Sequence, residues 1–151
     1  MKDGYLPKDQ RKKILLLSDD ARLPSGVGTM SREIIFGTAH RYNWVQVAAA
    51  INHPEQGKVL DASDSLSKDL NIPDASLRFY PYNGYGDPMF LRHLIKTEKP
   101  DAILHFTDPR YWIWLYQMEH EIRDTIPLLF YHVWDDLPFP MYNKEYYLSC
   151  D

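Results

Sequence analysis

The chain has a single cysteine, Cys150, among its 151 residues, so no internal disulfide can form. Apolar runs are short. None approaches the 18–20 residues that span a bilayer, and the amino-terminal MKDGYLPKDQRKK lacks the apolar core of a signal peptide. A soluble protein of the cytoplasm, with no membrane span, is the expectation. Basic excess is missing too: the net charge is −4. Fourteen basic and fourteen acidic residues fall within 1–109, against three basic and seven acidic in 110–151. A nucleic-acid backbone needs a basic footprint. The one basic cluster, Arg11-Lys12-Lys13, sits just before the first apolar run and reads as a solvated flank. No nucleic-acid partner is expected.

What is present is average globular material: 44% hydrophobic and 25% charged residues, enough to bury a core, with a high aromatic share of 14%. After a polar leader over 1–12, Ile14 to Leu17 is continuously apolar, the pattern of a strand buried on both faces. A loop with Gly26 and Gly28 follows, and Val27, Met30, Ile34 and Gly37 recur at helical spacing. Further strands are predicted at Trp44–Ile51, Leu77–Tyr82, Ala102–Thr107 and Pro127–Trp134. A short helix is predicted near Asp64–Leu70. Asp87-Pro88 and Asp108-Pro109 each pair an N-cap with proline at the first helical position. The helix from Asp108 is expected to run to about Asp124 with Tyr111, Leu115, Met118 and Ile122 on its buried face. A last helix is expected over Tyr142–Leu148.

Alternating strands and helices imply right-handed crossovers and a mainly parallel sheet of about five to six strands, covered on both faces. The expected fold is thus α/β, a Rossmann-like three-layer sandwich over 13–151. A further strand would be due just after Asp151, and its lack would leave an exposed sheet edge.

Ligands of open parallel sheets bind at the carboxyl ends of the strands. Those ends hold Ser18-Asp19-Asp20, Asn83 with Tyr85, His105 to Arg110, and His132 with Asp135 and Asp136. The segment Ser25-Gly26-Val27-Gly28-Thr29 nearly spells a dinucleotide fingerprint, but Ser31 stands at the third glycine position. Asn52-His53 replace the acidic residue expected after the second strand. No Gly-Lys-Ser/Thr makes it a phosphate-binding Walker loop. The loop is either a tight turn with close helix–sheet packing or an anion contact at a helix start. A receiver-domain reading of Asp20 and Asp108 fails on their spacing.

The histidines and aspartates show no local metal-ligand spacing, so no metal is expected. Asp108 has a structural reading as an N-cap, and His105 one as a satisfied core histidine. His132, near its strand end and followed by two carboxylates, is the leading candidate for proton transfer or substrate contact. The run Tyr111 to Tyr116 is apolar all round. One side must be core, and the other would meet a partner domain or a flat sugar face.

Three stretches carry a family resemblance. KILLLSDDARLPSGVGTMSREII, EKPDAILHFTDPRYWIWL and IPLLFYHVWDDLPFPMYNKEYYLSCD, in that order and spacing, resemble the amino-terminal Rossmann-like domain of GT-B glycosyltransferases of the family 4/group 1 type. The resemblance covers about residues 12–151, the first half of such an enzyme. It implies a metal-independent transfer of sugar from a nucleotide-sugar donor, a substrate rather than a cofactor, to an acceptor sugar received by this half. By that analogy Gly26, Gly28 and Thr29 line the cleft near the donor phosphates or the acceptor. Asp108 and Arg110 line the acceptor side, and His132, Asp135 and Asp136 face the reacting centre. The carboxy-terminal half, with its basic residues and paired glutamates, is not in this sequence, so the chain is expected to be inactive alone and to need that domain or a partner chain. The alternative is a non-catalytic module that binds carbohydrate or protein through the Tyr111–Tyr116 surface, with a homodimer as one such arrangement.

Overall fold

The computed structural model describes residues 3–134 and 137–151. Six strands form one sheet: β1 (Lys12–Asp19), β2 (Tyr42–Ile51), β3 (Leu60–Asp61), β4 (Leu77–Asn83), β5 (Ala102–Phe106) and β6 (Leu128–Phe130). Their order is β3-β4-β2-β1-β5-β6, and every neighbouring pair is parallel except β3 with β4. The helices are α1 (Gly26–Thr38), α2 (Ser63–Leu70), α3 (Pro88–Glu98), α4 (Ile113–Gln117), α5 (Glu119–Arg123) and α6 (Lys144–Leu148). This is the Rossmann-like three-layer α/β fold expected from the alternation.

The central strand alternates between two cores. Leu15 and Leu17 pack with α3, α4 and α5 through Leu91, Leu94, Leu115 and Ile122. Leu16 packs on the other face with Ile35 of α1 and Leu66 of α2. A strand with both faces buried cannot place a polar side chain on either without a partner. That is why its interior is continuous leucine. Helix starts follow the predicted caps: Asp87 accepts from the amide of Phe90 at 2.9 Å, and Lys99 ends α3 in the left-handed region before Pro100.

Three elements differ from expectation. The helix from Asp108 is a 3-10 turn (Pro109–Trp112), then α4, a break at Met118, and α5. Trp112, Leu115 and Tyr116 form the buried stripe of the first part, Met118 and Ile122 that of the second. On a continuous helix those stripes lie roughly a quarter turn apart. The break brings both onto the sheet and leaves Tyr111 59% exposed. Strand β6 has three residues instead of eight, because its partner β5 ends at Phe106 and offers nothing to pair with beyond Tyr131. The sixth strand of the sheet is β3, a two-residue antiparallel edge that the polar stretch 52–76 gave no sign of. At the opposite edge, the Asp151 amide donates to the Leu128 carbonyl (2.8 Å) and its Oδ2 accepts from the Leu128 amide (2.9 Å). Arg123 holds the other oxygen at 2.9 and 3.1 Å.

The basic flank is also corrected. Arg11 is buried, donating to the carbonyls of Leu6 (2.7 Å) and Asp74 (2.8 Å) and pairing with the Asp74 carboxylate. Lys13 reaches the carbonyl of Glu98 at 2.8 Å. Of the three, Lys12 alone reads as a solvated residue.

Candidate functional site

The chain leaves β1 for β2 on one side and returns from β4 to β5 on the other, so strand order reverses between β1 and β5. A crevice outside the carboxyl ends of these two strands is where such folds hold ligands. Here Thr107 donates from Oγ1 to Oδ1 of Asp19 at 3.3 Å. Burial pushes the Asp19 carboxyl above its ordinary value, against the lowering effect of that hydrogen bond.

Asp108 caps the turn after β5, accepting from the Arg110 amide at 3.0 Å and from Arg110 Nε and Nη2 at 3.0 and 2.5 Å. The Arg110 guanidinium holds the Asp108 carboxyl below the usual range. Two carboxyl groups near Tyr85 are thus pushed in opposite directions, the arrangement that separates acid from base roles. Beside them the Tyr85 ring stacks on Tyr111, centroids 5.0 Å apart and 15° from parallel. Burial raises the Tyr85 phenol, and the neighbouring Asp19, Tyr111 and Asp108 raise it further. Gly86 makes this wall: its φ is +84°, and a Cβ there would lie 3.0 Å from the Trp114 ring. The Arg110 guanidinium carbon lies 5.6 Å from the Tyr142 ring centre.

The glycine loop divides into two roles. A Cβ on Gly28 would sit 2.6 Å from the Leu23 carbonyl oxygen and 2.8 Å from that of Asp20, so its lack of a side chain serves packing of α1 on the β1 loop. At Gly26 the same Cβ would meet nothing within 4 Å. Ser25 caps α1 by accepting from the Gly28 amide at 3.0 Å, and its carbonyl takes the Thr29 amide at 2.8 Å. The amides of Gly26 and Val27 have no partner among the described residues. Ser31, at the place of a third glycine, is buried and donates to Ser18 Oγ at 2.9 Å. Gln46 donates to the same hydroxyl at 2.7 Å and accepts from the Ala21 amide at 3.1 Å. The departure from the dinucleotide fingerprint is therefore a buried polar clamp on the loop.

His105 is fully buried, its Nδ1 2.5 Å from the Tyr116 hydroxyl, and burial pushes its pKa down to about 3. Its Nε2 has no partner among the described residues. His132 is exposed; its Nδ1 lies 2.8 Å from the Tyr147 hydroxyl, and its ring packs near Phe139 and Tyr147. These contacts tie it to α6 and not to the Asp19–Asp108 crevice. Asp135 and Asp136 lie outside the described residues.

Sequence reasoning missed one cluster. Asp20, 1% exposed, accepts from the Arg22 amide (2.8 Å), Nε (2.9 Å) and Nη2 (2.6 Å). Arg22 also donates to His53 Nε2 at 2.8 Å, and Glu55 lies 3.8 Å from it. Asp20-Ala21-Arg22 and Asp108-Pro109-Arg110 make the same clasp after β1 and after β5. The shared Asp-x-Arg spacing was a signal available in the sequence.

Among the described residues no three His, Cys, Asp or Glu side chains gather in a metal-holding group, and no helix is long and apolar enough to cross a membrane. Compared with protein-family models, with curated proteins and with solved structures, the chain finds no match in any of the three.

Proposed function

We propose that this chain is the acceptor-side half of a GT-B glycosyltransferase of the family 4/group 1 type, and that the β1–β5 crevice receives the acceptor sugar. The observation that supports it most is the grouping at the ends of β1 and β5: Asp19 and Asp108, their carboxyl groups shifted in opposite directions, beside the flat Tyr85–Tyr111 stack. Carboxylates bind vicinal hydroxyls, and an aromatic face covers the apolar side of a sugar ring. In this reading Asp19, half-buried and bonded to Thr107, hydrogen-bonds the acceptor hydroxyl. Asp108, locked by Arg110, fixes the ring. The open amides of Gly26 and Val27 at the start of α1 face the donor phosphates, with Thr29 beside them. Gly28 contributes by packing. His132, which the resemblance sets with Asp135 and Asp136 at the reacting centre, is held by Tyr147 of α6. Neutralising the leaving diphosphate is the main electrostatic task of such a transfer, and it falls to a second domain or partner chain.

The test is saturation-transfer NMR of this chain with simple acceptor sugars and with UDP-, GDP- and ADP-sugars. An acceptor signal lost in Asp19→Asn and Asp108→Ala, and kept in a surface control such as Lys58→Ala, is the expected result. Folded protein that gives no signal with any sugar overturns the reading. The alternative, a non-catalytic carbohydrate- or protein-binding module, is favoured by the exposed rings of Tyr111, Tyr131, Phe139 and Tyr142. It predicts binding, or dimer formation, that depends on Tyr111 and survives Asp19→Asn.

A further inference from the structure

On the face of the sheet away from α3, helices α1 and α2 do not close over β4. They leave a groove of about 460 Å³, within the roughly 300–1,000 Å³ typical of small-molecule sites. Its floor is apolar, with Ile35, Leu66 and Phe79 among the lining residues, all buried in the core. Two arginines stand at the walls, each laid on a phenylalanine. Arg22 lies over the Phe79 ring at 4.8 Å and Arg32 over the Phe36 ring at 5.1 Å.

Their charges are not equivalent. Arg22 is neutralised by Asp20 at 2.6 Å. Arg32 has no ion-pair partner among the described residues, and its stacking on Phe36, one turn along α1, holds the guanidinium at the wall of the groove. Arg32 is the groove's cation without an ion pair among the described residues, and beside the apolar floor it offers a contact for the carboxylate of a ligand with an apolar tail. Asp69 also lines the groove, and its carboxylate disfavours a polyanion such as a nucleotide diphosphate.

We infer that the α1–α2 groove binds an amphipathic monocarboxylate, its tail on Leu66 and Phe79 and its carboxylate on Arg32. The site is separate from the β1–β5 crevice and stands whether or not that crevice holds a sugar.

The experiment is methyl NMR titration of the intact chain with octanoate, and with 1-octanol as the uncharged probe of equal tail. Octanoate is expected to shift the methyls of Ile35, Leu66 and Leu77, and to bind at least tenfold more tightly than octanol. Arg32→Gln, an exposed helix position whose fold is checked by its amide spectrum, is expected to weaken octanoate at least tenfold. Ser65→Trp, which fills the groove from an exposed position on α2, is expected to abolish binding. Unmoved methyls, a preference over octanol of less than tenfold, or an Arg32→Gln loss of less than tenfold overturns the inference. Retained binding in Ser65→Trp does the same. Acceptor-sugar signals recorded on the same variants report separately on the crevice.

Discussion

Thr107 donates its hydroxyl to Asp19 across 88 residues of chain, tying the end of β1 to the end of β5 at the point where strand order reverses. Burial raises the Asp19 carboxyl above its ordinary 3.8 in spite of that bond. Between its ordinary and its raised value, the folded state therefore keeps a proton on Asp19 that the unfolded chain has released. Its contribution to stability is full below about pH 4 and is lost as pH rises through the raised folded value. Asp19→Asn keeps a hydrogen-bond acceptor and removes the charge, so it is expected to stabilise the protein at pH 7 while ending sugar binding. Urea midpoints between pH 4 and pH 8 check it; an Asn variant less stable than the parent at pH 7 refutes the assignment.

The two loop glycines are expected to part company. Gly28→Ala forces a Cβ against the backbone of Asp20 and Leu23 and is expected to cost about 1–3 kcal/mol. Gly26→Ala faces open space and is expected to stay within about 0.5 kcal/mol of the parent. Denaturation curves of the two variants settle it, and equal losses would show that the close approach at Gly28 does not exist.

His105 gives the fold an acid sensitivity. Its ring is neutral because burial depresses its pKa to about 3. The unfolded chain takes up a proton near pH 6.5 that the folded chain refuses. Stability is therefore present above that value and falls on acidification, with a limiting slope of about 1.4 kcal/mol per pH unit from this residue. His105→Phe combined with Tyr116→Phe removes both the base and the hydroxyl it would orphan. The double variant should show a shallower loss between pH 6 and pH 4; an unchanged slope counts against the buried neutral imidazole.

Arg11 anchors the leader to the Asp74 turn through a buried guanidinium. Arg11→Ala is expected to cost about 2–3 kcal/mol, less than the 3–5 kcal/mol of a fully buried pair because Asp74 stays a quarter exposed. A double-mutant cycle with Asp74→Asn isolates the coupling, and a coupling near zero would return Arg11 to the solvated flank that its neighbours suggest.

The parts of the fold legible beforehand are those set by local chemistry. Continuous apolar residues at Leu15–Leu17 gave a strand buried on both faces, and Asp87-Pro88 gave a helix start at the residue observed. The parts that were not legible depend on partners distant in sequence. β6 stops where β5 stops, and β3 exists because β4 has a free edge. The helix after Asp108 breaks because two differently phased apolar stripes must reach one sheet. The site divides the same way. Asp108 as a cap with Arg110 beside it could be read from adjacent residues, but the Asp19–Thr107 bond and the Asp20–Arg22–His53 cluster required the strands to be laid side by side. Nothing local distinguished the buried Arg11 from the exposed Lys12.

The two ends of the sheet carry a consequence for behaviour at high concentration. One end is a strand of two residues, and the other is a strand of three whose Leu128 backbone groups are both engaged by Asp151. Among the described residues, the outward amide and carbonyl of Leu128 are therefore not open to a strand from a second molecule. Asp151 thus acts as a molecular doorstop, held in place by Arg123. Asp151→Ala would free the Leu128 amide, and turbidity of concentrated protein on mild heating should rise with that one substitution, while an exposed change at Lys68 leaves it where it was.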